Sequence, residues 1–140
     1  MHSEHTRGVT IRPLRNGDAA TIQAVFDRLG PASRYARFGG AKNALSQSDL
    51  SVLSRVDANH HVLVAWVGSE PVGVGRLVRN GACGEVAFDV ADAWQSRGVG
   101  RMLAERLSAD ARAAGIRAFR ADIRPGNVRS QALLRRLQAA

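Results

Sequence analysis

Residues 85–107, EVAFDVADAWQSRGVGRMLAERL, switch hydrophobic period once, and that switch constrains the fold more than any other part of the chain. Val86, Phe88 and Val90 alternate with Glu85, Ala87 and Asp89, the two-residue period of a strand with one face buried. From Val99 the period becomes helical. Val99, Met102, Leu103, Leu107, Ala111 and Ala114 share one face, while Arg101, Glu105, Ser108 and Arg112 share the other. The turn between them is Gln95, Ser96, Arg97, Gly98, Val99 and Gly100. Glycines at a helix start let the backbone approach a ligand, and the unpaired N–H groups of the first turn attract an anion. Arg97 and Arg101 add positive charge. This chemistry suits a phosphate, best a pyrophosphate.

The turn is not a Walker loop, because no Gly-Lys-Ser/Thr follows it, and Leu103 stands where a dinucleotide fingerprint has its third glycine. Gln-x-x-Gly-x-Gly after a strand beginning Glu-Val-Ala-Phe resembles the acetyl-CoA motif of the GNAT superfamily of N-acetyltransferases. The opening VTIRPLRNGD is similar to the start of many such domains. SRYARF followed by SQSDLSVL resembles a bacterial subgroup that includes protein-lysine acetyltransferases.

The resemblance implies a mixed α/β sheet with helices on both faces and an acetyl group passing from acetyl-CoA to a primary amine, a protein lysine or a small molecule. No metal is implied. It places the pyrophosphate on the turn, with Gln95, Ser96, Arg97, Gly98, Val99, Gly100 and Arg101 as cofactor-binding residues. A backbone N–H near Phe88, Asp89 or Val90 would polarise the thioester carbonyl. Asn127 would touch the pantetheine or phosphate part of the cofactor; on capping preference alone it is equally a helix N-cap. Glu85 matches the glutamate that acts as general base in the lysine-acetylating branch. The residue-level alternative for it is a solvated carboxylate at a strand end. Strict alternation puts Glu85 and Asp89 on one face about 13 Å apart, too far for a paired-carboxylate site, and a bulge of the kind common in the family would break that alternation near Asp89.

The rest of the chain reads in order. Val9, Thr10, Ile11 and Arg12 form a first strand stopped by Pro13. Asp18 caps a helix whose stripe is Ile22, Val25, Phe26 and Leu29, ended by Gly30 and Pro31. Residues 32–45 are irregular and read as a connector, or as one wall of the acceptor site. Ser46 or Ser48 starts a second helix with Leu50, Leu53 and Val56 inward. Residues 61–67 are a nearly continuous apolar run, which suits a strand buried on both faces. Residues 72–78 pair with it as a hairpin, and Gly73 and Gly75 there allow close backbone approach. After the central helix, Gly115 is a C-terminal cap. Residues 117–123 form a strand parallel to the central one, and a last helix runs from Val128 to about Leu137 with Leu133, Leu134 and Leu137 inward.

At 140 residues the chain suits one domain, residues 9–137, with residues 1–8 as a flexible tail. It has no apolar run of membrane-spanning length and no hydrophobic signal core at its start. Cys83 is the sole cysteine, so no intrachain disulfide is possible and a reducing cytoplasm is expected. The net charge of +8 is almost all arginine, since Lys42 is the only lysine. That charge suits a polyanionic cofactor, an acidic protein surface or nucleic acid; the arginines are spread rather than clustered, so nucleic acid is not expected. His60 and His61 lack a third ligand at metal spacing and read as structural.

Two departures from the family pattern stand out. The two strands that usually follow the last helix have no counterpart after Leu137, which predicts an open sheet edge and a homodimer across it. Leu134 stands where many relatives carry a tyrosine as general acid. Both motivate an alternative: a CoA-binding, catalytically weak regulatory or partner module.

Overall fold

The structure, a computed structural model, describes residues 8–39, 42–123 and 125–139. The expected tail lies outside these apart from Gly8, as do Gly40 and Ala41 of the irregular stretch 32–45. The elements run β1 (Val9–Pro13), α1 (Ala19–Asp27), α2 (Pro31–Phe38), α3 (Gln47–Leu53), β2 (His60–Val67), β3 (Glu70–Asn80), β4 (Cys83–Val90), α4 (Val99–Ala113), β5 (Ala118–Arg120) and α5 (Val128–Ala139). One sheet has the order β1-β2-β3-β4-β5. Its first four strands are antiparallel, and β5 is parallel to β4, as required when a helix crosses over between them.

Helices cover both faces, so the central strands carry apolar residues on both sides; Val62, Leu63, Val64 and Ala65 of β2 are fully buried. On one face Ile22, Val25 and Phe26 of α1 pack with Val62, Val64 and Val74, and Leu50 and Leu53 of α3 join them. On the other, Val99, Leu103 and Leu107 of α4 pack on Leu63, Ala65, Val86 and Phe88, with Leu137 of α5 completing the core. The glycines of β3 explain how close α4 sits. A Cβ on Gly73 would stand 3.1 Å from Val99 Cγ1, and one on Gly75 would stand 3.4 Å from Leu103 Cβ. That close approach fixes where the N-terminus of α4 points.

Several expectations need correction. Gly30 and Pro31 do not simply end α1: they begin α2, with Gly30 as its N-cap and Pro31 in its first turn, where a missing N–H costs nothing. The connector expected over residues 32–45 is therefore helical at its start. No bulge interrupts β4 against β3, whose register is unbroken from Gly73↔Val90 to Asn80↔Cys83; the irregularity of the sheet lies at Ala65/Trp66 in β2. The last strand spans only Ala118–Arg120, because β4 and β5 part beyond the pair Glu85↔Arg120. Ser108, expected outward on α4, is buried and accepts a hydrogen bond from Arg112 Nε at 3.2 Å, because α5 covers a second side of that helix. Ala114, expected inward, lies past the last turn of α4 and is exposed.

Candidate active site

The parting of β4 and β5 creates the site. Cys83, Gly84 and Glu85 pair with β5; from Val86 onward β4 has no partner on that side among the described residues. Ala91 N–H donates to Val72 O across the β3 side at 2.8 Å. Backbone groups alternate in direction along a strand, so those of Val86, Phe88 and Val90 turn away from β3 and into the gap. The hydrogen bond from Gln95 Nε2 to Val90 O, at 3.0 Å, agrees. The N–H groups of Phe88 and Val90 thus face an opening where β5 no longer competes for them.

At the end of the gap lies the glycine turn. Ser96 has φ 61° and is the one described residue other than glycine with positive φ; Gly98 has φ 88° and caps α4 in the left-handed region. Strained backbone of this kind turns successive N–H groups toward one point and clusters at functional sites. No side chain caps the 15-residue helix α4, so its first N–H groups are left for an anion. The gap and the turn merge into a groove of about 410 Å³, of the size that takes a small-molecule ligand. Phe88, Asp89 and Val90 line its floor, and Gln95, Ser96, Gly98, Gly100 and Arg101 line the turn end.

Other expected site residues sit differently. Val99 is buried in the core beneath the turn, so only its backbone is available to a ligand. The Arg97 guanidinium stacks over Trp94, 5.0 Å from the ring centre, rather than lining the groove. Gly100 serves packing: a Cβ there would stand 3.1 Å from Leu133 of α5. Asn127 lines the groove and also caps α5, its Oδ1 accepting from Ser130 N at 3.2 Å while its Nδ2 donates to Ala36 O of α2 at 3.2 Å. Glu85 is exposed on β4, two positions from Ala87 on the same sheet face, and is not among the groove-lining residues.

Helix α2 is the wall that sequence reasoning left open. Ala32, Ser33, Ala36 and Arg37 line the groove from this side. Arg37 Nε lies 3.1 Å from Asp89 Oδ1, an ion pair in which neither atom makes an aligned hydrogen bond. Burial pushes the Asp89 carboxyl above its ordinary value, and the charges of Arg37 and then Arg76 pull it back only in part. Arg76, opposite Ala87 on β3, is lowered by burial first and then by the charges of Arg37 and Arg55, with Asp89 and Glu85 acting the other way. The face bearing Glu85 and Asp89 is therefore interleaved with arginine. The pattern Gly-Pro before an amphipathic octet was the available signal for α2; its partner Asp89 lies 52 positions on, and nothing local links them.

The two histidines are each paired with a carboxylate: His60 Nδ1 lies 2.7 Å from Asp57 Oδ1, and His61 Nε2 lies 2.8 Å from Asp110 Oδ2. Among the described residues no group of three or more His, Cys, Asp or Glu is arranged to hold a metal ion, and no helix is long and apolar enough to cross a membrane. Leu134 packs half-buried against the core.

Comparison with known proteins agrees with this architecture. The chain is 34% identical over 119 residues to the acetyltransferase PA5475 of Pseudomonas aeruginosa, covering 79% of this chain and 63% of that protein. It is 30% identical over 135 residues to the acetyltransferase Pat of Mycolicibacterium smegmatis, covering 92% of this chain and 40% of that one. The chain thus spans less than two thirds of the length of these relatives. Among solved structures, the GNAT domain of S. lividans PAT superposes with a TM-score of 0.82 at 28% identity, covering 98% of this chain and 89% of that domain. The model of the acetyltransferase (GNAT) family matches residues 24–138, and the chain belongs to that family.

Proposed function

We propose that this chain is an N-acetyltransferase domain, residues 9–137, that moves the acetyl group of acetyl-CoA onto a primary amine, a protein lysine or a small molecule. The observation that carries the reading is the continuity of one groove, from the free edge of β4 to the uncapped N-terminus of α4. The pyrophosphate sits on the backbone of Ser96, Arg97, Gly98, Val99, Gly100 and Arg101, with Gln95 holding the turn to Val90 O. The pantetheine arm lies in the gap between β4 and β5, beside Asn127. The acetyl carbonyl accepts from a backbone N–H of the Phe88, Asp89, Val90 stretch; strand alternation favours Phe88 or Val90. An alkyl ammonium with a pKa of about 10.4 must lose a proton before it attacks, and Glu85 takes it. The C–N bond forms, the C–S bond breaks, the nitrogen gives its second proton to water as the amide forms, and CoA leaves as a thiolate that takes its proton from water. The same reading places the protein in the cytoplasm and makes it a homodimer across β5, whose outer edge has no partner strand among the described residues. Gln138 Nε2 meets one carbonyl of that edge, Phe119 O, at 3.1 Å, which narrows the strip available to a second copy.

Calorimetry with acetyl-CoA on the purified chain, with its mass in solution recorded, tests the binding half: a folded chain that takes no acetyl-CoA ends the proposal. For the chemical half, Glu85→Gln should lower kcat on a responsive amine by about 10²–10⁴ and leave acetyl-CoA affinity unchanged. Equal turnover would remove Glu85 as the base. A second reading, a CoA-binding module of weak activity, is favoured by Glu85 standing outside the groove lining and by Leu134 packed at the position of the family's tyrosine. Tight acetyl-CoA binding without transfer to any amine would decide for it.

A further inference from the structure

Helix α2 has no buried residue, yet it forms one side of the groove. Burial of an apolar stripe is what usually holds a helix in place; here apolar contact is confined to the C-terminal end, where Phe38 packs half-buried against the α1 core with its ring 5.8 Å from that of Phe26. The ties at the other end are polar, and the densest group comes from Asp92, in the 3-10 turn Asp92–Trp94 that leads from β4 into the glycine turn. Asp92 Oδ2 accepts from Gly30 N at 3.0 Å, and Asp92 Oδ1 accepts from Ser33 Oγ at 2.6 Å. Gly30 is the N-cap of α2 and has no side chain to cap with, so Asp92 acts as a cap supplied from 62 residues away. A Cβ on Gly30 would overlap Asp92 Oδ2, so the contact requires a glycine there. Gln95 Nε2, the group that also grips Val90 O, donates to Ser33 Oγ at 3.0 Å. The carboxylate therefore joins three things: the N-terminus of α2, the first residue of the phosphate turn, and through Gln95 the free edge of β4. At its other end α2 presents Arg37 to Asp89, on the sheet face that bears Glu85.

We infer that Asp92 is a positioning residue that ties the groove wall α2 to the phosphate turn, so that filling the turn orders α2 and with it the Arg37 side of the acceptor face. Asp92 does not line the groove, so it acts through Ser33 and Gln95 rather than on the cofactor itself. The inference rests on the proposed cofactor site and fails separately from it.

The test is amide hydrogen exchange of residues 34–39, whose amides include Arg34 N bonded to Gly30 O and Gly39 N bonded to Tyr35 O, measured with and without CoA. CoA should slow exchange there in the unaltered chain by about tenfold, the scale of one charge-assisted hydrogen bond discounted for exposure. Asp92→Ala at saturating CoA should lose that protection and bind CoA up to about tenfold more weakly, the reciprocal of the same coupling, whereas direct contact between CoA and α2 would keep the helix protected in the saturated variant. Asp92→Asn should restore most of it, since an amide can accept from Gly30 N and donate to Ser33 Oγ. Ser33→Ala, which removes both hydrogen bonds of Ser33 Oγ and keeps Asp92 on Gly30 N, should give an intermediate loss and keeps the test open if Asp92→Ala does not fold. CoA binding that leaves α2 exchange unchanged in the native chain, or equal protection in Asp92→Ala, overturns the inference. Absence of CoA binding altogether overturns the proposed function instead.

Discussion

Helices α4 and α2 face each other across the groove and are held by opposite means. Six residues of α4 are buried, among them Val99, Leu103 and Leu107, and two glycines of β3 let that helix press onto the sheet. Helix α2 fully buries none; apart from Phe38, half-buried beside Phe26 at its end, it is held by Asp92, Gln95, Asp89 and Asn127 through side-chain hydrogen bonds and one ion pair. Packed apolar contacts are dense and hard to rearrange, whereas exposed polar ties exchange readily with water. The glycine turn thus stands on a rigid support, and the α2 wall can yield. Under the proposed function, that division suits a site that holds one constant cofactor and admits a separate acceptor.

The contrast can be broken from either side. The largest effect belongs to the packed helix: Leu103→Ala, fully buried between α4 and the sheet, should cost about 2–5 kcal/mol in urea unfolding. A loss below about 1 kcal/mol would mean that α4 is not the rigid member. Gly98→Ala comes next. Its φ of 88° costs an L-residue about 1–2 kcal/mol, so stability should fall by that amount and acetyl-CoA affinity should weaken in calorimetry. Unchanged affinity would show that the turn geometry is not what receives the anion.

The smallest effect is a pH dependence on the yielding side. Burial raises the Asp89 carboxyl above its ordinary 3.8 in the folded state, so between that value and the raised one the folded chain holds more proton than the unfolded chain. Stability from this group is present below the ordinary value and is lost as pH rises through the raised one. Unfolding of Asp89→Asn against the unaltered chain should therefore shift in favour of the variant across that window. A shift the other way would mean that Arg37 outweighs burial and that α2 is clamped rather than loosely tied.

The outcome for the sequence reading follows the same division. The strand of Val86, Phe88 and Val90, the turn with Gly98 and the helix stripe of Val99, Leu103 and Leu107 were legible because hydrophobic period and backbone conformation are local properties. The cap at Asp18 and the capping box of Ser46 with Asp49 are also local; the first was read, and the second was narrowed to Ser46 or Ser48. Helix α2 is not legible locally, because Gly-Pro reads as a stop, although the same pair is also a start when a residue elsewhere supplies the cap.

The sequence by itself determined the order of elements apart from α2, the two-sided burial of β2, the parallel entry of β5 and the glycine turn, since each depends on residues a few positions apart. Only the tertiary structure decided that the gap opens where β5 leaves β4 rather than at a bulge, that Gly100 serves Leu133, and that Arg37 meets Asp89. These depend on distances between residues far apart in the chain, and pairwise contact of that kind leaves no period in the sequence to read.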